Sequence, residues 1–528
     1  MPQSPTLARS AGVVAFFTLL SRILGLARDM VVAYAFGSGP QADAFFVAFR
    51  IPNLLRRLVA EGALTASFLP VYTDCLERRT PAEADRIVQV TFTLLSLLLA
   101  LITLAGVMFS PWMIRVFAPG FLPDPGRFDL AVSLNRIMFP YVFFISLVAL
   151  CMGVLNARGH FAAPAAAPVL LNVAMIAGAG LLNGCFATPV HGLAVGVLAG
   201  GVLQLGLQIP PLVRRKVRFR PVLSLSDPAV NRIGRLFLPA AFGAAVYQLN
   251  VVVSNIFASF LPAGSISYLW YAGRLLEFPL GVFGMALATA AFPALSRQSS
   301  RGDSMRFRRT LEESLRLVTF ITLPATVGLM MLGMPIVQVL LQRGEFDPGS
   351  ASKTASALLY YSLGMWSVAV SRILTAGFYS FQDTATPVKI SFASVLANVA
   401  ISLALMGPML HAGLALASSI ASMLNAFLLF FYLRRRIGVW GLDWVRESGI
   451  KMLLASLIMA AILWGATALT GGIEGKPFLR QCLLLGSWVT VGGASYFGAC
   501  HALSVQELRT AKGALGRWLS PGGAQSPD

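Results

Sequence analysis

Apolar residues run through this chain in long, nearly unbroken blocks, separated by short stretches rich in Gly, Pro or Arg. A helix crosses a bilayer in about 20 mostly apolar residues. Blocks of that length predict fourteen spans, at 11–36, 41–68, 88–118, 130–156, 163–183, 190–213, 231–261, 266–292, 311–342, 353–379, 386–407, 412–433, 449–470 and 478–503. No stretch alternates apolar and polar residues over the length of a half-buried strand. The pattern therefore predicts an all-α, polytopic membrane protein with 14 transmembrane helices.

The connections alternate in character. One set is basic and includes Arg78 and Arg79, Arg158, the cluster from Arg214 to Arg220, the cluster from Arg297 to Arg309, Lys389, and Arg434 to Arg436. The other set is short and nearly uncharged or mixed: GSGPQ at 37–41, APGFLPDPGRFD at 118–129, the turn at 184–189, LPAGS at 261–265, RGEFDPG at 343–349, GPMLH at 407–411 and TGGIEGKP at 470–477. Positive loops stay in the cytoplasm. Every basic loop falls on one side of a fourteen-helix count, so both termini are expected in the cytoplasm.

A repeat is also visible. Arg50 and the FLP at 68–70 return as Arg274 and the FPA at 292–294, 224 places on; NARGHFAAP at 156–164 returns as YSFQDTATP at 379–387, 223 places on. Six helices fit between the copies, so the two halves share one membrane orientation and are related by a pseudo-two-fold axis along the membrane normal. This predicts two six-helix lobes, 1–220 (helices 1–6) and 221–436 (helices 7–12). Two extra C-terminal helices and a tail follow in 437–528. The tail after His501 begins as a basic amphipathic stretch, expected on the cytoplasmic surface.

Composition agrees with the pattern. Hydrophobic residues make up 56% of the 528 and charged residues only 12%, against about 25% in an ordinary soluble domain. A net charge of +19 in such a chain fits basic cytoplasmic loops, and no soluble basic domain exists to bind nucleic acid. Five scattered cysteines without a CxxC pair, and four dispersed histidines, argue against a metal cluster or a disulfide framework. An Ala-x-Ala motif at 33–35 imitates a signal cleavage site, but Arg22, Arg28 and Asp29 precede it; an uncleaved first helix is expected. No phosphate-binding loop, nucleophile elbow or HExxH motif occurs, so neither nucleotide hydrolysis nor covalent catalysis is expected.

The exception to all this apolarity is Ser21–Gly62, which carries Arg22, Arg28, Asp29, Asp43, Arg50, Arg56, Arg57 and Glu61. Charges at membrane depth are costly and face a bundle interior or a wet cavity. Residues seven apart share a helix face, which groups Ser21 with Arg28, Arg22 with Asp29, and Asp43 with Arg50 and Arg57. Pro52 predicts a kink. In the eighth span Arg274 and Glu277 are neighbours at three residues. Two readings compete. In one, Arg22–Asp29, Arg57–Glu61 and Arg274–Glu277 are ion pairs that lock helices together. In the other, spans 1, 2 and 8 face a shared central cavity, and arginines remain for an anionic substrate. Six arginines stand against four carboxylates in these spans, a surplus of two. The planar guanidinium suits phosphate oxygens. Asp383, beside Thr-Pro at a helix start, is expected to be a cap.

These residues carry a resemblance. SRILGLARD at 21–29, ADAFFVAFRIPNLLRRLVAEGALTASFLPVY at 42–72, YAGRLLEFPLGVFGMALATAAFPALS at 271–296 and FYSFQDTATPVKI at 378–390 are similar to the MurJ (MviN) family of bacterial lipid II flippases. The resemblance covers essentially the whole chain. It implies the fold of the MOP exporter superfamily and no enzymatic activity. It implies transport of undecaprenyl-diphosphate-linked disaccharide pentapeptide between leaflets of the bacterial inner membrane. It implies Arg22, Arg28, Arg56 and Arg274 as substrate anchors, with Asp43 and Glu277 at positions important for activity. Arg50 keeps a charge where relatives carry Lys. Gly273 stands where some relatives have Asp. Helices 13 and 14 in the family form a groove for the polyprenyl tail. Expected partners are lipid II and membrane lipids, with other cell-wall synthesis proteins admitted; no cofactor is expected, and coupling to Na⁺ or H⁺ stays open without an assigned site. The alternatives are a flippase for another polyprenyl-diphosphate glycan, a cation-coupled multidrug exporter of the same superfamily, which would want an acidic cavity, or a scaffold that moves nothing.

Overall fold

The structure, a computed structural model, describes residues 5–58, 64–78, 80–217, 220–281, 285–438 and 445–508. Among them every regular element is helical. In chain order these are α1 (Pro5–Phe36), α2 (Pro40–Leu55), α3 (Leu64–Arg78), α4 (Pro81–Met108), α5 (Ser110–Phe117), α6 (Pro125–Met138), α7 (Tyr141–Ala157), α8 (Ala162–Leu181) and α9 (Val190–Arg214). They continue with α10 (Pro228–Ser259), α11 (Ser265–Pro279), α12 (Met285–Ser300), α13 (Ser304–Leu341), α14 (Pro348–Ser380), α15 (Ala385–Ile437), α16 (Ile450–Leu469) and α17 (Phe478–Ala502). Nine stretches among the described residues are long and apolar enough to cross a membrane. The chain is a multi-pass membrane protein.

Helix starts follow local chemistry. Thr80 and Glu83 form a reciprocal capping box ahead of α4, with Pro81 in the first turn. Asp124, Asp227 and Asp303 cap α6, α10 and α13 by accepting backbone N–H bonds. Where the sequence suggested single spans, several divide. The 88–118 span breaks between α4 and α5 at Phe109, and the 130–156 span breaks between α6 and α7 at Phe139–Pro140. In the second span Pro52 stays inside α2, and the α-helix ends three residues later in a π-helical turn at Arg56–Leu58. The expected turn at 407–411 is a sharp kink within α15, with Leu410 in a non-helical conformation after Pro408.

The chain forms two compact units, 1–270 with 343–350, and 271–342 with 351 onward. In the first, small residues let backbones touch: a Cβ on Gly178 would lie 2.6 Å from the Gly192 carbonyl oxygen, and one on Gly196 2.7 Å from that of Ala174. This close α8–α9 contact is how helices associate where lipid offers no hydrophobic contrast. In the second, α13, α16 and α17 bury Phe320, Trp488 and Tyr496, whose hydroxyl donates to the Phe320 carbonyl at 2.9 Å. The start of the C-terminal tail packs there too: Val505, Glu507 and Leu508 are buried, and Glu507 accepts from Arg316. The remainder of the tail lies outside the described residues.

Each unit has its own clamp at the end bearing the basic loops. In the first, Arg158 donates to the Tyr72 hydroxyl (2.9 Å), to the Arg215 carbonyl (2.9 Å) and to Asp85 Oδ1 (2.6 Å), tying α3, α4, α7 and α9. In the second, Arg436 donates to Asp383 Oδ2 (2.6 Å) and Arg308 to the Ile437 carbonyl. Asp383 also accepts from the Thr386 N–H and hydroxyl, as a cap does.

Candidate functional site

The charged candidate residues resolve into three local arrangements, two in the N-terminal stretch and one on α11. The first surrounds Asp43, in the opening turn of α2 behind Gly39 and Pro40. Its side chain is fully buried. Oδ2 accepts from the Arg127 guanidinium at 2.5 Å and from the Gly264 N–H at 2.7 Å; Oδ1 accepts from the Ser267 N–H at 2.8 Å and the Ser267 hydroxyl at 2.6 Å. The two amides belong to the beginning of α11, where N–H groups have no partner in their own helix and the dipole favours an anion. Asp43 thus caps a helix 221 to 224 residues away. Arg127, itself buried, lies with its guanidinium carbon 3.9 Å from the centre of the Phe121 ring.

The neighbourhood extends this closure. Arg50, two turns along α2 from Asp43, donates to Asn255 Oδ1 at 3.1 Å and lies 5.4 Å from the centre of the Trp270 ring. Asn255 donates in turn to the Phe117 carbonyl, and the Gly120 N–H donates to Ser259 Oγ. The Glu345 N–H donates to the Tyr34 carbonyl at 3.0 Å, and the hydroxyls of Ser38 and Ser350 are 2.5 Å apart. Gly37 and Gly344 both have φ near +60°, and a Cβ on either would fall 2.3 Å from the opposing carbonyl oxygen, of Glu345 and Tyr34 respectively. Segments 34–43, 117–127, 255–270 and 343–350 therefore make one continuous seal at the end of the first unit with the nearly uncharged loops.

The second arrangement holds Arg28 and Asp29, both buried. Arg28 donates to Asp29 Oδ1 through Nε (3.1 Å) and Nη2 (2.7 Å), and through Nη1 to Asn172 Oδ1 (3.1 Å). Asn172 donates back to the Ser21 carbonyl at 3.1 Å. Asp29 Oδ1 is taken up by the neighbouring Arg28, and the Asn172 amide bridges α8 to α1 at that level. Arg22 is half-buried on the same helix.

The third arrangement lies on the later spans. Arg274 donates to Glu277 Oε2 at 2.8 Å, the expected i,i+3 pair, with side chains 26% and 57% exposed. A Cβ on Gly273 would meet nothing within 4 Å. Arg56 donates to Asn53 Oδ1 at 2.9 Å. The expected Arg57–Glu61 pair involves Glu61, which lies outside the described residues.

Two sequence expectations change. Asp43 does not present a carboxylate to a ligand in this structure, since both oxygens are occupied and sealed. Arg28 does not present an open guanidinium, since Asp29 and Asn172 hold all three of its nitrogens. Sequence reasoning missed Arg127, Asn172, Asn255 and Ser267. Asn172 and Asn255 were detectable as lone amides inside apolar runs, the kind of residue that finds a partner across helices in a membrane. Arg127 was set aside as loop charge, and nothing distinguished Ser267 from other serines at a helix start.

The chain resembles known proteins over nearly its full length. A family model, "Lipid II flippase MurJ", matches residues 32–481. A probable lipid II flippase MurJ of Vibrio cholerae is 38% identical over 95% of this chain and 97% of its own. A lipid II flippase MurJ of Burkholderia cenocepacia is 37% identical over 93% and 96%. Among solved structures, a lipid II flippase MurJ in an inward closed conformation superposes with a TM-score of 0.77 at 26% identity, covering 93% of this chain and 99% of that one. An inward-facing MATE family multidrug transporter of the MOP superfamily reaches 0.67 at 16% identity, over 81% and 98%, a likeness of fold. The chain belongs to the lipid II flippase MurJ family.

Proposed function

We propose that the chain carries lipid II from the inner to the outer leaflet of a bacterial inner membrane by alternating access, as a transporter and not an enzyme. Family membership supports the substrate. The positive-inside rule puts the basic ends and both termini in the cytoplasm, and the Asp43 seal then lies on the periplasmic side. That seal is the observation that carries the mechanism. A carboxylate held by four donors from two distant segments is a latch with two discrete arrangements, made or broken, and such bistable contacts convert local binding into rigid-body motion.

The diphosphate enters from the cytoplasmic leaflet and is met by Arg22, Arg56 and Arg274, whose Glu277 partner is more than half exposed and free to yield to a stronger anion. Arg28, with Asp29 and Ser21, is a positioning element that fixes α1 against α8. Asp43 and Arg50 share one face of α2, and Ser267 and Arg274 share one face of α11. Seven residues of helix span about 10 Å, so an anion drawn to the second residue of either pair acts on the helix that carries the latch. An anion leaving a negative cytoplasm gains about 2.3 kcal/mol per charge per 100 mV, a driving force that needs no nucleotide. The expected lobes at 1–220 and 221–436 are the moving bodies in this reading.

The test is a lipid II translocation assay in liposomes with alanine at Arg22, Arg28, Arg56 and Arg274 in turn. Loss of flipping at Arg22, Arg56 and Arg274 with the chain still folded is the expected result. Wild-type rates for all four folded variants would refute arginine anchoring, and a wild-type chain that leaves lipid II in its original leaflet would refute the function.

A further inference from the structure

α14 is an apolar span, yet one of its accessible sides is mainly polar. Its buried positions, Met365, Ala369, Ile373, Leu374 and Phe378 among them, pack into the core of the second unit. Of the positions left partly or fully open, Tyr361, Val368, Arg372, Thr375 and Tyr379 recur with helical spacing along one side, with Ser371 at its edge, while Leu359, Leu363 and Trp366 open on another. Compare the first half of α15, whose outward positions Val388, Phe392, Leu396 and Leu403 are apolar and 38–59% exposed, as lipid-facing residues are. A stripe of tyrosines, hydroxyls and one guanidinium does not suit hydrocarbon.

Arg372 is the informative member. It lies eight residues before the end of α14 at Ser380, about 12 Å along the helix axis from the basic end. Its Nη1 is inaccessible and has no acceptor among the described residues, and neither has the adjacent Ser371 hydroxyl. Arg28, Arg50, Arg56 and Arg274 each donate to a protein side chain; no such bond is found for Arg372 among the described residues. A guanidinium cannot shed its proton, and one at membrane depth without a counter-charge is costly unless water or an anion reaches it. Nothing in the sequence singled it out, because a single arginine in an otherwise apolar span looks like the end of a loop.

We propose that Arg372, flanked by Ser371 and Thr375 and by the tyrosines of the same stripe, is a further substrate-binding position that takes an oxyanion of the incoming headgroup. This inference rests on the lipid II reading above and adds to it a contact in the cytoplasmic half of α14. Arginine with hydroxyl donors suits a phosphate or carboxylate oxygen, and lipid II offers both, as its diphosphate and its peptide carboxylates. Tyrosine rings beside them suit the sugar faces.

The test measures binding of lipid II, and of a polyprenyl diphosphate lacking sugars and peptide, to the full chain in phospholipid nanodiscs. Arg372→Gln is expected to weaken lipid II binding about tenfold, the effect of one lost charge-assisted contact, and Arg372→Lys to restore most of it. Equal weakening for both ligands assigns the contact to the diphosphate; weakening for lipid II alone assigns it to the peptide carboxylates. Unchanged binding of both by Arg372→Gln would overturn the inference while leaving the flippase reading intact. A wild-type chain that does not bind lipid II would overturn both. Should Arg372→Gln fail to fold, accessibility decides: a cysteine replacing Thr375 is expected to react with a charged, water-soluble thiol reagent, and a cysteine replacing Phe392 is not. An unreactive Thr375→Cys would place the stripe in lipid and overturn the proposal.

Discussion

Asp43→Asn is the most informative single change, because it preserves shape and removes charge. No cavity forms, so any effect is electrostatic. Three of the four contacts to Asp43 can only donate: the Arg127 guanidinium and the N–H groups of Gly264 and Ser267. The asparagine amide, also a donor, must occupy one of the two oxygen positions. At Oδ2 it faces Arg127 and Gly264; at Oδ1 it faces the Ser267 N–H. Either way a donor is stranded, and Arg127 is left as a buried charge without its counter-ion. Breaking a buried pair from one side costs about 3–5 kcal/mol. At 1.4 kcal/mol per factor of ten, the made-to-broken ratio of the seal falls by roughly two to three powers of ten. The assay places a cysteine at Ser38, within the seal, and measures its reaction with an impermeant thiol reagent added from the side of the nearly uncharged loops. Labelling should rise steeply in Asp43→Asn, and lipid II translocation should fall. Adding Arg127→Gln removes the stranded charge and should recover part of the protection, which a general loss of folding would not allow. Unchanged protection of residue 38 in Asp43→Asn would refute the latch.

Three further outcomes follow from the same geometry. Arg28→Ala removes the guanidinium that holds buried Asp29 Oδ1 and should lower thermal stability by about 3–5 kcal/mol, whereas Arg28→Ala with Asp29→Ala removes both charges and should return much of it; thermal melts in detergent decide, and equal losses in single and double variants would contradict a buried pair. Gly344→Ala forces an L-residue into the left-handed region, at about 1–2 kcal/mol, and drives its Cβ to 2.3 Å from the Tyr34 carbonyl oxygen, so cysteine 38 should also become more reactive there. The Asp383 carboxyl is held below its ordinary value of 3.8, first by the Thr386 N–H and then by the Thr386 hydroxyl and Arg436. Because the folded pKa is the lower one, its stabilisation is complete above the ordinary carboxylate pKa and is lost as pH falls through the depressed value. Asp383→Asn should therefore lower stability at neutral pH and flatten the acid limb of a pH–stability curve, and an unaltered acid limb would show that the cap contributes nothing.

The helical, membrane-spanning character was legible because crossing a bilayer imposes a length and a composition that no partner residue can disguise; nine stretches among the described residues meet both, against fourteen expected spans. Breaks inside spans were less so. At the interruption at Phe109–Ser110 the Gly106 carbonyl is taken up by Ser110 Oγ, and a lone serine in an apolar run leaves little mark in the sequence. The charges were legible as a set but not as pairs. Arg274–Glu277 is a local contact and could be read from spacing. Asp43 meets Arg127, Gly264 and Ser267 at separations of 84, 221 and 224 residues, and no local periodicity encodes those. Burial gives Asp43 a cap and an ion pair in this structure. A carboxylate in a charged stripe looks like a ligand contact until its lone pairs are counted.

The repeat and the seal explain one another. Asp43 accepts two hydrogen bonds from Ser267, which stands 224 places later, the same offset that separates Arg50 from Arg274. Phe46 stacks on Trp270 with ring centres 4.7 Å apart, again 224 places on. A residue can touch its own repeat equivalent only close to the axis that relates the two copies. Two successive turns of α2 and α11 do so, as the expected pseudo-two-fold repeat requires of helices that cross near its axis. The carboxylate has no acidic twin there: the second copy supplies Ser267, a donor, so what would be like-charge repulsion between symmetric aspartates becomes a hydrogen bond. One further turn along each helix the symmetry is kept, as Arg50 and Arg274, and both sites are cationic. The divergence from symmetry falls where the copies meet, at Asp43 and Ser267.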